Sequence, residues 1–147
     1  MTTTKDPLAL ERQVCFGLAV AARTVIAHYR PVLQPLGLTH PQYLVMLALW
    51  ERNPRTVRDI GEALFLEPAT LSPLLKRLEA AGLLTRERSA TDERALDVAL
   101  TEKGAALRVQ AEEVPGKIVD RLGVPVEELQ EIRATLTKLI AAATVEQ

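Results

Sequence analysis

TVRDIGEALFLEPATLSPLLKRLEAAGLLTRERSATDERALDVALT, residues 56–101, changes its hydrophobic period twice, and those changes decide the fold. Val57, Ile60 and Leu64 recur at helical spacing, and Leu71, Leu74, Leu75 and Leu78 then follow i, i+3, i+4, i+7, so each segment is a helix with one stripe to bury. Leu66-Glu67-Pro68 interrupts the pattern between them, with Pro68 at the first position of the second helix, where its missing N–H is no loss. Gly82 takes the left-handed cap position that ends this helix. Residues 83–88 and 95–100 read as strands, the second alternating Leu96, Val98 and Leu100, and the polar run 89–94 makes a hairpin tip. Helix, turn, helix and a two-stranded wing form a winged-helix pattern, used most often to lay the second helix in a DNA major groove.

The flanks read as helical supports. Asp6-Pro7 predicts a helix start, a capping carboxylate followed by proline. From there Leu8, Cys15, Ala22 and Tyr29 recur every seven residues, with Leu18, Val25 and Val32 offset by three, a narrow seam of the kind that faces another helix. Pro31 and Pro35 end it. Thr39 or His40 caps a second helix opening at Pro41, which sends Leu44, Leu47 and Ala48 inward, with Tyr43 and Trp50 at the edge of that face. After the wing, Thr101 starts a long helix through Leu107, Val114, Ile118 and Leu122, with a bend expected at Pro115-Gly116. Beyond a turn at Gly123-Val124-Pro125, the last helix carries Leu129, Ile132, Leu136, Leu139, Ile140 and Ala143 on one face.

The expected architecture is mainly α with a small β-wing: a single domain over 1–147, a winged helix-turn-helix unit at 39–101, and dimerisation helices at 6–36 and 102–144. So small a unit cannot cover three extra apolar faces. A homodimer on a palindromic site, with half-sites about one helical turn apart, is the expectation that follows.

Composition narrows the chemistry. Only five of 147 residues are aromatic, which argues against stacking on single strands as the main binding mode. No apolar run approaches 18 residues and no basic-then-apolar leader is present, so the expectation is a soluble, cytoplasmic protein with no membrane partner. The single Cys15 excludes an intrachain disulfide and a cysteine-based zinc site, and no metal or other cofactor is expected. With no HExxH, no phosphate-binding glycine loop and no G-x-S-x-G, an enzyme is the least supported class. The formal net charge of −1 does not announce nucleic acid. Between Arg55 and Arg94 seven cations meet seven anions, so local placement must do what net charge does not.

With its leucines turned inward, the second helix of the motif shows Ala69, Thr70, Ser72, Pro73, Lys76 and Arg77 outward. Thr70 and Ser72 suit hydrogen bonds to phosphates or base edges, Ala69 and the Thr70 methyl suit thymine methyls, and Lys76 and Arg77 suit phosphates. Arg94 at the wing tip is placed to reach an adjacent minor groove. Asp92 is expected to orient Arg94 or Arg77 through a bidentate pair. The bland readings are a solvated helix face and an ordinary surface ion pair.

Asp92-Glu93-Arg94 followed by Leu100-Thr101-Glu102-Lys103-Gly104 resembles the wing signature of the MarR family of winged-helix repressors, and the resemblance spans essentially the whole chain. Gln13-Val14-Cys15-Phe16, Tyr29-Arg30-Pro31, Pro41-Gln42-Tyr43-Leu44, Leu49-Trp50-Glu51 and the run from Thr70 to Arg77 are similar to the organic-hydroperoxide (OhrR) subgroup. The resemblance implies a dimeric repressor that releases its operator when Cys15 is oxidised by an organic hydroperoxide, with the reactive sulfur held by tyrosine hydroxyls, among them Tyr29. One turn after the cysteine, where the better-known single-cysteine members have a second tyrosine, stands Ala19.

Cys15 and Tyr29 lie about 21 Å apart along a straight helix, at 1.5 Å per residue, so they meet only if two copies pack antiparallel. Without a resolving thiol in the chain, a sulfenic acid at Cys15 is expected to be capped by a low-molecular-weight thiol or over-oxidised. Two alternatives remain open. In one, a small aromatic or phenolic ligand, for which Gly17 and Ala19 leave room, replaces oxidation as the signal; in the other, the winged unit binds protein.

Overall fold

The computed structural model describes residues 6–145. Its helices are α1 (Val14–Ala27), α2 (Tyr29–Leu33), α3 (His40–Glu51), α4 (Val57–Leu64), α5 (Pro68–Ala80), α6 (Glu102–Ala111), α7 (Val114–Leu122) and α8 (Val126–Thr144), and its strands are β1 (Arg55–Thr56), β2 (Leu84–Arg88) and β3 (Leu96–Leu100). The predicted mainly α fold with a β-wing is what forms. A third strand was not foreseen: β1 pairs antiparallel with β3 through Arg55 opposite Val98, giving the order β1-β3-β2. Two residues are too short to show a period, so this strand left no pattern to read.

The core lies where α3 crosses α4 and α5, joined by Leu84 and Val98 from the sheet and by Val114 and Ile118 from α7. Thr39 caps α3 through a reciprocal box with Gln42. The expected inward face of α3 needs correction: Tyr43, Val45, Met46, Ala48 and Leu49 are buried and Leu47 is exposed. This helix packs against α2, α4, α5 and α6, so it is covered on several sides and its apolar residues carry no phase.

The boundaries around prolines also move, for one reason. A proline ring clashes with the carbonyl four residues earlier and has no N–H for it. Ala27 stands four before Pro31 and Ala111 four before Pro115, and these are the last residues of α1 and α6. The seam through Tyr29 is therefore broken at His28, and the bend expected at Pro115-Gly116 falls at Glu112-Glu113. At the other end, α1 starts at Val14 and not near Pro7. Asp6 Oδ1 accepts from the Leu8 N–H at 3.0 Å in a local turn, and the Gln13 side chain donates to the Pro7 and Ala9 carbonyls at 2.9 and 3.0 Å, so these groups are engaged outside a helix.

Among the described residues, α1 and α8 bury nothing fully. Val14, Phe16 and Ile26 on the first and Val126, Ile132, Leu139 and Ile140 on the second are exposed apolar side chains.

Candidate functional site

The end of α5 and the start of α6 set the position of the wing. Gly82, at φ 78°, closes α5 with paired bonds from Leu83 N–H to the Leu78 carbonyl (3.0 Å) and from Gly82 N–H to the Glu79 carbonyl (3.0 Å). The carbonyls that follow are taken by the Thr101-Glu102-Lys103-Gly104 run: Lys103 Nζ donates to Ala81, Thr101 Oγ1 to Gly82 and the Thr101 N–H to Leu83, at 3.0, 2.6 and 3.1 Å. Gly104 permits this approach, because a Cβ there would lie 2.0 Å from the Leu83 carbonyl oxygen. The Trp50 indole donates to the Gly104 carbonyl at 2.9 Å, which ties α3 to the same corner.

On this base α5 presents Ala69, Thr70, Ser72, Pro73, Lys76 and Arg77, every one of them exposed, while Leu71, Leu75 and Leu78 are buried beneath. Pro73 lies inside the helix and supplies no N–H to the Ala69 carbonyl. Asp92 and Arg94 lie exposed in the loop between β2 and β3. The expected bidentate pair is not formed among the described residues. Asp92 Oδ1 instead accepts from the Arg94 backbone N–H at 3.0 Å, so the carboxylate shapes the turn that carries Arg94.

Three ion pairs on two carboxylates, which sequence reading did not single out, brace this head. Arg86 of β2 donates to Glu79 of α5 from its side chain at 3.0 Å and from its backbone at 3.2 Å, and the guanidinium holds the Glu79 carboxyl below the usual carboxylate range. Asp59 accepts from Arg55 Nε at 2.6 Å and from Arg52, and these bonds, Arg55 first, hold its carboxyl low as well. Arg55 also donates to the Ala48 carbonyl at 2.9 Å, fixing the entry of α4 to α3. The i, i+4 spacing of Arg55 and Asp59 was the available signal for one pair; nothing local marks Glu79 and Arg86.

Phe65 was missed entirely. It ends α4 at φ 57°, a left-handed conformation unfavourable for an aromatic side chain by about 1 kcal/mol, and it is 67% exposed. It lines a groove of about 800 Å³ between the helix-turn-helix and the loop end of the wing, with Arg58, Glu62, Glu67, Arg94 and Leu96 among the other walls.

Cys15 is exposed and is the second residue of α1. The later start of the helix thus moves the sulfur from eight residues in to the first turn, where unpaired N–H groups and the positive end of the dipole lie. Tyr29, on α2, is half-buried and packs edge-on against the His40 ring with centroids 4.7 Å apart, and its centroid lies 6.0 Å from that of Tyr43. Burial raises the Tyr29 hydroxyl above its ordinary pKa and lowers that of His40, so both are neutral near pH 7. No hydrogen bond joins Cys15 to Tyr29 within the described chain. A cavity of about 700 Å³ beside the end of α1 is lined by Arg23, Ile26, Arg30, Leu38 and His40, and Gly17 and Ala19 are not among its walls.

A model of the transcriptional regulators SarA/Rot matches residues 27–108. An organic hydroperoxide resistance transcriptional regulator of Bacillus subtilis is 42% identical over 135 residues, 92% of this chain and 92% of that protein. The chain belongs to the MarR family of winged-helix transcriptional regulators, in its organic-hydroperoxide subgroup. Like other MarR regulators it acts on transcription and is not an enzyme. Among solved structures, reduced AbfR bound to DNA superposes with a TM-score of 0.74 at 36% identity, covering 91% of this chain and 93% of that one. The overoxidized AbfR bound to DNA superposes at 0.69 with 39% identity, covering 88% and 94%. Among the described residues no helix is long and apolar enough to cross a membrane, and no His/Cys/Asp/Glu group is arranged to hold a metal.

Proposed function

We propose that this MarR regulator is a cytoplasmic homodimeric repressor of a palindromic operator, released when an organic hydroperoxide oxidises Cys15. The observation that carries the reading is an exposed cysteine in the first turn of a helix whose apolar surface is uncovered within its own chain. A second copy supplies the cover, α1 and α8 being the dimerisation surfaces. Each 39–101 unit lays α5 in a major groove: Thr70 and Ser72 read or grip, Ala69 meets thymine methyls, Pro73 packs, Lys76 and Arg77 neutralise phosphates, and Arg94, on the turn shaped by Asp92, enters the minor groove.

The sensing step is a nucleophilic displacement. The Cys15 thiolate attacks the outer oxygen of the hydroperoxide, the O–O bond breaks, and the alkoxide leaves as an alcohol after taking a proton, which leaves a sulfenic acid. A low-molecular-weight thiol then displaces hydroxide as water to give a mixed disulfide. Tyr29, neutral and protonated, serves as hydrogen-bond donor to the sulfur of the partner subunit. An overoxidized relative has been observed on DNA, which favours the bulkier mixed disulfide as the releasing form here. Its volume at the dimer seam moves the two α5 helices out of half-site spacing.

The test is operator binding under graded cumene hydroperoxide plus a small thiol, read beside the mass of the Cys15 peptide. Wild type is expected to release as the mixed disulfide accumulates, and Cys15→Ser to stay bound. Equal release by both would end the redox reading. The cavity between α1 and α3 supports a second reading, in which an aromatic carboxylate bound near Arg23 and Arg30 is the signal; release by salicylate that persists in Cys15→Ser selects it.

A further inference from the structure

The turn of a helix-turn-helix commonly uses glycine, which takes a left-handed backbone without penalty. Here that position holds Phe65, at φ 57°, with the Leu66 N–H bonded to the Gly61 carbonyl at 2.9 Å so that the turn is fixed in shape. Its ring is largely exposed, so burial inside the chain does not offset the backbone strain. A bulky residue kept in a disfavoured conformation on an open surface points to a contact outside the chain.

The groove beside it indicates which. One wall is Phe65 with Leu66 and Pro68, the approach to α5; the other is Arg94, Ala95 and Leu96, at the loop end of the wing. A duplex strand that follows the α5 end into the major groove and meets Arg94 in the minor groove has to pass between these walls. The lining holds Arg58 and Arg94 against Glu62 and Glu67, and Arg58 is bonded to Glu62 at 3.2 Å, so it offers no net attraction for phosphate. What it offers is an apolar ring. We infer that Phe65 packs against the deoxyribose edge of the operator backbone between the two groove contacts, a positioning contact that is independent of base sequence. This rests on α5 being the reading head.

Phe65→Asn keeps a residue tolerant of the left-handed turn. With a duplex selected by the wild-type protein from a random pool, fluorescence anisotropy is expected to show about tenfold weaker binding, with melting temperature unchanged or raised. The slope of log affinity against log salt stays that of wild type, since no phosphate charge is neutralised. The loss is the same on duplexes differing at any single base pair. Phe65→Leu, which keeps an apolar side chain, recovers part of the affinity and is the check if Phe65→Asn misfolds. Binding by Phe65→Asn within twofold of wild type overturns the proposal, as does a loss confined to one base pair. Arg77→Ala separates the two levels: if it binds weakly while Phe65→Asn binds as wild type, only the Phe65 contact fails, and if neither weakens, α5 is not the reading head.

Discussion

Arg86 on the first wing strand grips Glu79 near the end of α5 twice, through its guanidinium and through its backbone N–H. The wing is therefore braced to the reading helix by side chain as well as by the connecting loop. Because the pair depresses the Glu79 carboxyl, its contribution is present above the unfolded-state pKa and is lost as pH falls through the lower folded value. Glu79→Ala is expected to weaken operator binding by roughly threefold and to speed proteolysis in the 89–95 loop, while Glu79→Gln, which still accepts the backbone N–H, lies between. Equal protease sensitivity in all three proteins would show that the connecting loop alone holds the wing.

The corner built by Gly104 makes a sharper stability prediction. An added methyl at Gly104 meets a backbone oxygen and not a movable side chain, so α6 must shift away from Leu83. Gly104→Ala is expected to lose about 2 kcal/mol or more in denaturant unfolding and to change Trp50 fluorescence, because the indole bond to the Gly104 carbonyl is made at the same corner. A melting curve and emission spectrum like those of wild type would count against this close approach.

Much of the head was legible because its helices each bury one stripe, and because Pro68 and Gly82 punctuate them in the expected way. The exposed set from Ala69 to Arg77 follows directly from the leucine phase. What was not legible depended on contacts between elements. The buried side of α3 has no phase when four helices cover it; the place of Cys15 in its helix depended on how Asp6 and Gln13 spend their hydrogen bonds; and Phe65 is unremarkable in sequence until its backbone angle is known. The role of Asp92 was misread for a related reason, since a carboxylate two residues before an arginine has a backbone N–H nearer than any guanidinium.

The neutral state of Tyr29 gives a test of the sensor that leaves DNA binding aside. If its hydroxyl donates to the sulfur of the partner subunit, Tyr29→Phe removes a donor without disturbing the ring packing on His40 and Tyr43. The rate of Cys15 alkylation by iodoacetamide at pH 7 is expected to fall about tenfold, with the operator affinity of the reduced protein unchanged. An unchanged alkylation rate would remove Tyr29 from the sensing site.

Arg94 and Asp92 separate the charge of the wing from its shape. Arg94 carries no ion pair among the described residues and is exposed, so Arg94→Ala has little to change in the folded protein. If the guanidinium sits in a minor groove, its loss is felt most where that groove is narrow and its potential most negative. The expected result is a loss of about tenfold on A·T-rich flanks and only about threefold on G·C-rich ones, with the salt slope reduced. Asp92→Ala keeps the guanidinium but frees the turn, so it should reproduce the flank preference more weakly while removing an anion from the wing. It therefore opposes itself: looser aim lowers affinity, and one fewer negative charge raises it. At low salt the charge effect is largest and Asp92→Ala approaches wild type; at high salt, where charge is screened, the loss of aim remains and the variant falls behind. Equal affinity of Asp92→Ala and wild type at high salt would mean that the bond from the Arg94 backbone does not direct the side chain, and that Asp92 serves only the folding of the loop.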